Sequence, residues 1–177
     1  LLFENHALLA GLVKGIEASP NITLLTGQKV VSVDTKGPGQ ASVMLEDGTA
    51  ISAALVIAAD GNKSPTRVAA GIEMIGWPYD QMGVVCTFGH ELPHGGRAEE
   101  HFSPQGPFAI LPLTGNRCSI VWTCSLAEGR RLLALKPEEF ESELQAQVGD
   151  HLGKVTLITS HQGYPLGMWV AKEYYAP

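Results

Sequence analysis

Several classes of function are closed off by what the sequence lacks. It has no apolar run long enough to span a bilayer. It has no phosphate loop and no Ser-His-Asp arrangement. Basic residues are scarce: 12 Lys and Arg stand against 18 Asp and Glu, for a net charge of −6, and the charges are interspersed. A nucleic-acid surface needs a basic stripe, and none is present. The cysteines number three, Cys86, Cys118 and Cys124, with no Cys-x-x-Cys pair, which points to a reducing compartment. On one strand Cys118 and Cys124 would stand roughly 20 Å apart, too far to bridge. All three read as small buried hydrophobes. The N-terminus has no initiator Met, no basic leader and no cleavage site, so it reads as a cut in a longer chain.

What is present fits a folded domain. Apolar residues make up 45% and charged residues 17% of 177 positions, enough for a core and too apolar for disorder. Leu8, Leu9, Leu12, Val13 and Ile16 recur at helical spacing between Asn5 and Ser19, and Pro20 ends the run. The period then changes to two. Residues 22–25, 29–33, 42–45 and 49–51 read as strands, with a Glu46-Asp47-Gly48 turn between the last two. Ala53 to Ala59 is continuously apolar, the pattern of a parallel strand buried on both faces. From Ile72 onward strands are expected at 82–88, 99–102, 108–113 and 117–124, helices at 126–135 and 137–148, and strands at 155–160 and 167–170. The fold class is therefore α+β, with a largely antiparallel sheet after residue 72.

The strongest constellation is Ala59-Asp60-Gly61-Asn62-Lys63-Ser64-Pro65-Thr66-Arg67. A buried strand would deliver Asp60 to a sheet's carboxyl edge, where α/β proteins bind ligands. Gly61 permits a backbone path and a close approach that a side chain would block. Ser64 as N-cap and Pro65 at the first helical position open a helix whose free N–H groups suit an anion. Arg67 adds a planar cation. The same residues equally describe a plain capped helix with an Asp60–Arg67 ion pair, and local pattern alone does not separate the two.

Asp60-Gly61-x-x-Ser64-x-x-Arg67 after an Ala-rich strand resembles the Asp-Gly motif of the flavin-dependent aromatic hydroxylases, the class A flavoprotein monooxygenases. Further stretches agree in order and spacing: Gly71-Ile72, Trp77-Pro78-Tyr79-Asp80-Gln81, Glu91-Leu92-Pro93-His94, His101-Phe102, residues 106–113 (Gly-Pro-Phe-Ala-Ile-Leu-Pro-Leu), Val121-Trp122 and Tyr164-Pro165-Leu166. They resemble the ubiquinone-biosynthesis hydroxylases within that class, over nearly the whole chain.

The resemblance implies a fragment of an FAD/NAD(P)-binding α/β domain, residues 1–71, joined to a mostly antiparallel substrate-binding β-sheet domain with flanking helices, residues 72–177. It implies an enzyme that reduces FAD with NAD(P)H and uses O₂ to hydroxylate a polyprenylphenol. Asp60, Gly61, Asn62, Ser64 and Arg67 would bind the cofactor, while Phe102, Pro107, Phe108, Ile110, Leu111 and Pro112 would line the substrate pocket. A prenylated substrate implies a cytoplasmic enzyme peripheral to the inner membrane, in a ubiquinone-biosynthesis assembly. The family's opening GxGxxG unit is absent from this sequence, and its later Gly-Asp motif is expected just past residue 177. The piece alone is therefore expected to bind FAD poorly and to be inactive. A non-catalytic sheet pocket for an apolar aromatic ligand is the alternative.

One motif reads as a decoy. His90-Glu91-Leu92-Pro93-His94 matches the zinc-protease HExxH pattern, which needs both histidines on one helix face. Pro93 and the following Gly95-Gly96 oppose a helix, so no metal is expected. His101, His151 and His161 read as surface or satisfied polar groups. The acidic run Glu138 to Glu143 reads as a solvated face, and Trp77, Trp122 and Trp169 as packing.

Overall fold

The computed structural model describes residues 3–37 and 39–176. The chain divides into two compact units: Leu1–Leu8 with Trp77–Met168, and Leu9–Gly76 with Trp169–Pro177. Both are discontinuous in sequence, where the sequence reading placed a single boundary between residues 71 and 72.

Helix α1, Asn5–Glu17, lies where the apolar period put it, and none of its residues is buried. Strands β1 (Val30–Gly37), β2 (Gln40–Leu45) and β3 (Ala50–Ala53) form a three-stranded meander in that order, three of the four strands expected there. Its register sets Val33 opposite Val43 and Val43 opposite Ile51. The β2–β3 turn has a local cause. Asp47 Oδ1 accepts from the Thr49 N–H at 2.9 Å, and Gly48 takes φ +86°.

Two expected strands of this unit are absent. Residues 22–25 and 54–59 carry no strand assignment. Leu55 and Ile57 are 73% and 81% exposed, so Ala53–Ala59 is not the doubly buried strand its composition suggests. A strand is held by a ladder partner, and neither segment has one among the described residues.

In the second sheet, most of which belongs to the other unit, β5 (Glu99–Ser103), β6 (Gly106–Pro112), β7 (Arg117–Ser125), β4 (Met74–His90) and β8 (Val155–Leu157) lie side by side in that order, and β9 (Gln162–Ala171) also pairs β4. The pairings β5–β6, β6–β7, β4–β7 and β4–β8 are antiparallel, as the sequence pattern predicts. Alternation sorts the side chains onto two faces. On one face Val84, Phe88, Phe108, Ile110, Cys118, Ile120 and Cys124 are almost wholly buried. Leu132 of α3 (Leu126–Leu133) joins them, with Phe140, Leu144 and Val148 of α4 (Pro137–Val148). Trp122 bridges these groups, 5.5 Å edge-to-face from Phe108 and 6.4 Å from Phe140. Burying each such side chain stabilises the fold by about 1.5–3 kcal/mol.

Both helices start where their caps dictate. Ser125 Oγ accepts from the Glu128 N–H at 3.2 Å, and Glu139 Oε2 accepts from the Lys136 N–H at 3.0 Å. The acidic run is more than a solvated face. Glu141 Oε2 accepts from the Leu157 N–H at 2.7 Å and so anchors β8, while Glu143 pairs with Arg131. The three cysteines are free and buried, as expected, and burial pushes the Cys86 thiol up to about 12.

Candidate functional site

The Asp60 turn is built by local hydrogen bonds. Ser64, 6% exposed, caps α2 (Pro65–Ala69) by accepting from the Arg67 N–H at 2.9 Å. Asp60 Oδ2 accepts from the Thr66 N–H at 3.1 Å. Hydrogen bonds from Ser64 and then Thr66 pull the Asp60 carboxyl down to about 2, so it is an anion at any physiological pH. Gly61 has φ +87°, and a Cβ there would meet nothing within 4 Å. The glycine is needed for its backbone angle, and the space beside it is open.

Arg67 does not pair with Asp60 in the way a plain cap would suggest. Its Nη1 donates to the Asn62 carbonyl at 2.7 Å, closing the turn from within. Its Nε is buried and has no partner. A buried guanidinium N–H left unsatisfied is costly, and an anionic or carbonyl oxygen would relieve it. Arg67 also lines a cleft of about 510 Å³ with Gly71, Glu73, Met74 and Trp169, among others. Beside it, Lys172 and Glu73 form an ion pair, whose hydrogen bond lowers the Glu73 carboxyl.

Thus Asp60, Gly61, Asn62, Ser64 and Arg67 do come together in one turn. An acceptor-only carboxylate suits sugar or polyol hydroxyls, and a guanidinium with a spare N–H suits a phosphate. The donor set therefore fits a dinucleotide. Trp169, read from sequence as packing, is 49% exposed and lines the cleft; Trp77 is likewise 50% exposed, and only Trp122 packs as expected. Nothing in the local sequence around Trp169 signals this position.

The six residues assigned to a substrate pocket separate onto two faces. Phe108 and Ile110 are each 1% exposed and belong to the helix-packed core, and Pro112 shares their parity along β6. Pro107 and Leu111 point to the opposite face. Phe102 pairs directly with Pro107 and is 82% exposed. This second face also carries Ala109 opposite Val121, Val121 opposite Val85, and Leu111 opposite Ser119. Its side chains are small or branched and half-buried, and a Cβ on Gly83 would meet Leu166 at 3.7 Å and Val121 at 3.8 Å. The two-residue period of β6 is the sequence signal that separates Ala109 and Leu111 from the core-facing Phe108 and Ile110.

The zinc-protease pattern forms no helix. His90 ends β4, and Glu91 Oε2 accepts from the Lys154 N–H at 2.9 Å. His101 and His151 flank Glu99 Oε2 at 3.3 Å each, and His161 stacks on Phe140 with centroids 4.0 Å apart.

The mixed α+β fold with antiparallel sheets is shared with solved flavin monooxygenases. The p-nitrophenol 4-monooxygenase PnpA of Pseudomonas putida superposes with a TM-score of 0.75 at 20% identity, over 99% of this chain and 45% of that one. The FAD binding domain family matches residues 2–176. The chain belongs to that family. It is 40% identical over 98% of its length to ubiquinone hydroxylase UbiL of Rhodospirillum rubrum, covering 40% of that protein. It is 32% identical to the 3-demethoxyubiquinol 3-hydroxylase of Escherichia coli over 99% of its length and 44% of that protein. The chain spans about two fifths of the length of these relatives.

Proposed function

We propose that this chain is part of an FAD-dependent monooxygenase that hydroxylates an aromatic ring, a polyprenylphenol of ubiquinone biosynthesis, with NAD(P)H and O₂. The observation that carries the reading is the chain-long match, residues 2–176, to the FAD binding domain family. Its relatives, a ubiquinone hydroxylase and a 3-demethoxyubiquinol 3-hydroxylase, supply the substrate class. Bound FAD supplies the redox chemistry, with NAD(P)H as reductant and O₂ as oxygen donor.

The chain's own residues have defined tasks in this reading. Asp60, held as an anion, accepts hydroxyl hydrogens of the cofactor's polyol. Gly61 leaves room for its close approach, and Asn62 and Ser64 hold the turn's shape. Arg67, at the cleft, turns its guanidinium to a phosphate oxygen. The unit that carries the Asp60 turn, Leu9–Gly76 with Trp169–Pro177, serves the cofactor, and the sheet unit serves the substrate.

The substrate lies on the open sheet face, over Ala109, Leu111, Val121 and Val85, with Pro107 and Phe102 at one margin. An apolar wall of this kind excludes water from the reacting ring. Phe108, Ile110 and Pro112 act from behind, as the packing that keeps β6 straight. A polyprenyl tail partitions into lipid, so the enzyme works at a membrane surface and beside the other enzymes of the pathway. Among the described residues no helix is long and apolar enough to cross a membrane.

The test is oxygen transfer. The full-length gene product, given NAD(P)H, a short-chain prenylphenol and isotopically labelled O₂, is expected to yield a phenol carrying one labelled oxygen. Ala109→Phe, which fills the open face, abolishes that product while the protein stays folded. Labelled product undiminished in Ala109→Phe would move the substrate elsewhere. Reductant oxidation with no labelled product from any prenylphenol would remove the substrate class.

A further inference from the structure

We propose that His90, His94 and Cys118 form a binding site for one thiophilic metal ion of the zinc class, which ties the 91–97 loop to the end of the sheet. One ligand atom from each of the three lies within 4.8 Å of the others. His90 ends β4, Cys118 comes from β7, and His94 returns through a turn made possible by Gly95 and Gly96, at φ +62° and +73°. No linear motif contains this set, because Cys118 is supplied by a neighbouring strand.

The ring nitrogens are already oriented for the task. His90 Nδ1 sits 2.8 Å from the Leu92 carbonyl and so carries the hydrogen, leaving the Nε2 lone pair aimed at Cys118 Sγ, 3.4 Å away. His94 Nε2 is 2.9 Å from two carbonyls, Leu113 and Gly115, and so donates; its Nδ1 lone pair accepts from the Gly96 N–H at 2.8 Å. A metal-binding histidine characteristically donates its second ring N–H to a carbonyl in this way. Tetrahedral zinc spaces its ligand atoms about 3.5 Å apart. The His90–Cys118 pair already meets that spacing. His94 must close the remainder, giving up the bond from Gly96 on a glycine-flanked turn.

Binding replaces the Cys118 S–H bond with a metal–sulfur bond, and the proton leaves to solvent. Burial, aided by the Glu99 charge, pushes the free thiol up to about 11. Three protein ligands leave the fourth position of a tetrahedral ion to water, and Glu91 Oε2 is held by the Lys154 N–H. His94, half-buried, is the side from which an ion enters.

The experiment is a cobalt(II) titration of the reduced, metal-free chain, followed by absorption. We expect a thiolate-to-cobalt charge-transfer band that saturates at one equivalent and is displaced by zinc. Cys118→Ser removes the band, while Cys86→Ser and Cys124→Ser keep it. The inference is overturned if the unmodified chain, folded by circular dichroism, gives no such band. It is equally overturned if the band survives Cys118→Ser. The first arm needs no variant, so misfolding of Cys118→Ser cannot shield the proposal. None of these outcomes depends on the flavin reading.

Discussion

Replacing Gly106 with alanine tests the strand that the sequence motif and the open face share. Gly106 starts β6 at φ +138°, and a Cβ there would stand 2.5 Å from the Thr123 carbonyl oxygen and 3.0 Å from its carbon. Both atoms are backbone of β7, the central neighbour of β6, so neither can swing away as a side chain would. Gly115, in the β6–β7 turn, is the internal control: its φ is +73°, but a Cβ there would meet nothing within 4 Å. Gly115→Ala costs the positive-φ penalty alone, about 1–2 kcal/mol. Gly106→Ala adds an overpacking cost of about 1–3 kcal/mol, for a total of roughly 2–5 kcal/mol. For a chain of this size each kcal/mol lowers Tm by about 2–4 °C. Thermal and urea unfolding followed by circular dichroism measure both variants against the parent. A Gly106→Ala variant no less stable than Gly115→Ala would refute the close approach of β6 to β7 at this point.

Other perturbations separate the roles assigned above. Ser64→Ala loses the α2 cap and about 1 kcal/mol of local stability, read by hydrogen exchange of the Arg67 amide, and Ser64→Asp restores protection. The Asp60 carboxyl is held down to about 2, so its contribution to the turn is complete above its unperturbed value near 3.8 and is lost as pH falls through 2. A carboxyl NMR titration giving the unperturbed value would show the turn to be unformed in solution. Phe108→Ala costs about 3–5 kcal/mol as a core truncation. Leu111→Ala, on the half-buried face, costs less, and equal losses in denaturant midpoint would erase the distinction between the faces. FAD titrated into this chain of 177 residues is expected to bind weakly, because the sequence contains no GxGxxG loop to hold a pyrophosphate; tight stoichiometric binding would show that the Asp60 turn suffices.

How legible the structure was from sequence follows from what each signal requires. Strands β5, β6 and β7 and helices α3 and α4 satisfy one another within the chain, so alternation, turn residues and caps were enough to place them. The apolar runs at 22–25 and 54–59 read as strands on composition, but composition reports what a segment could pair with, not that a partner is there. The length of β4, which runs through Pro78 from Met74 to His90, was invisible because proline ordinarily marks a strand's end. At the site, the Asp60 turn was legible because its capping chemistry is local. The choice of face along β6 followed from period two and was lost by reading residues 106–113 as one block. The exposure of Trp169 and the meeting of His90 with Cys118 depend on strand neighbours far apart in sequence, and no local pattern encodes them.

The central claim, a flavin-dependent oxidoreductase, is tested most directly by the visible absorption spectrum of the full-length gene product. It is recorded before and after adding NAD(P)H with a simple prenylphenol in the absence of oxygen. The account predicts an oxidised-flavin spectrum that bleaches on reduction and returns when oxygen is admitted. A colourless, folded protein that takes up no added FAD would contradict it and leave the chain's likeness to flavin monooxygenases one of fold alone.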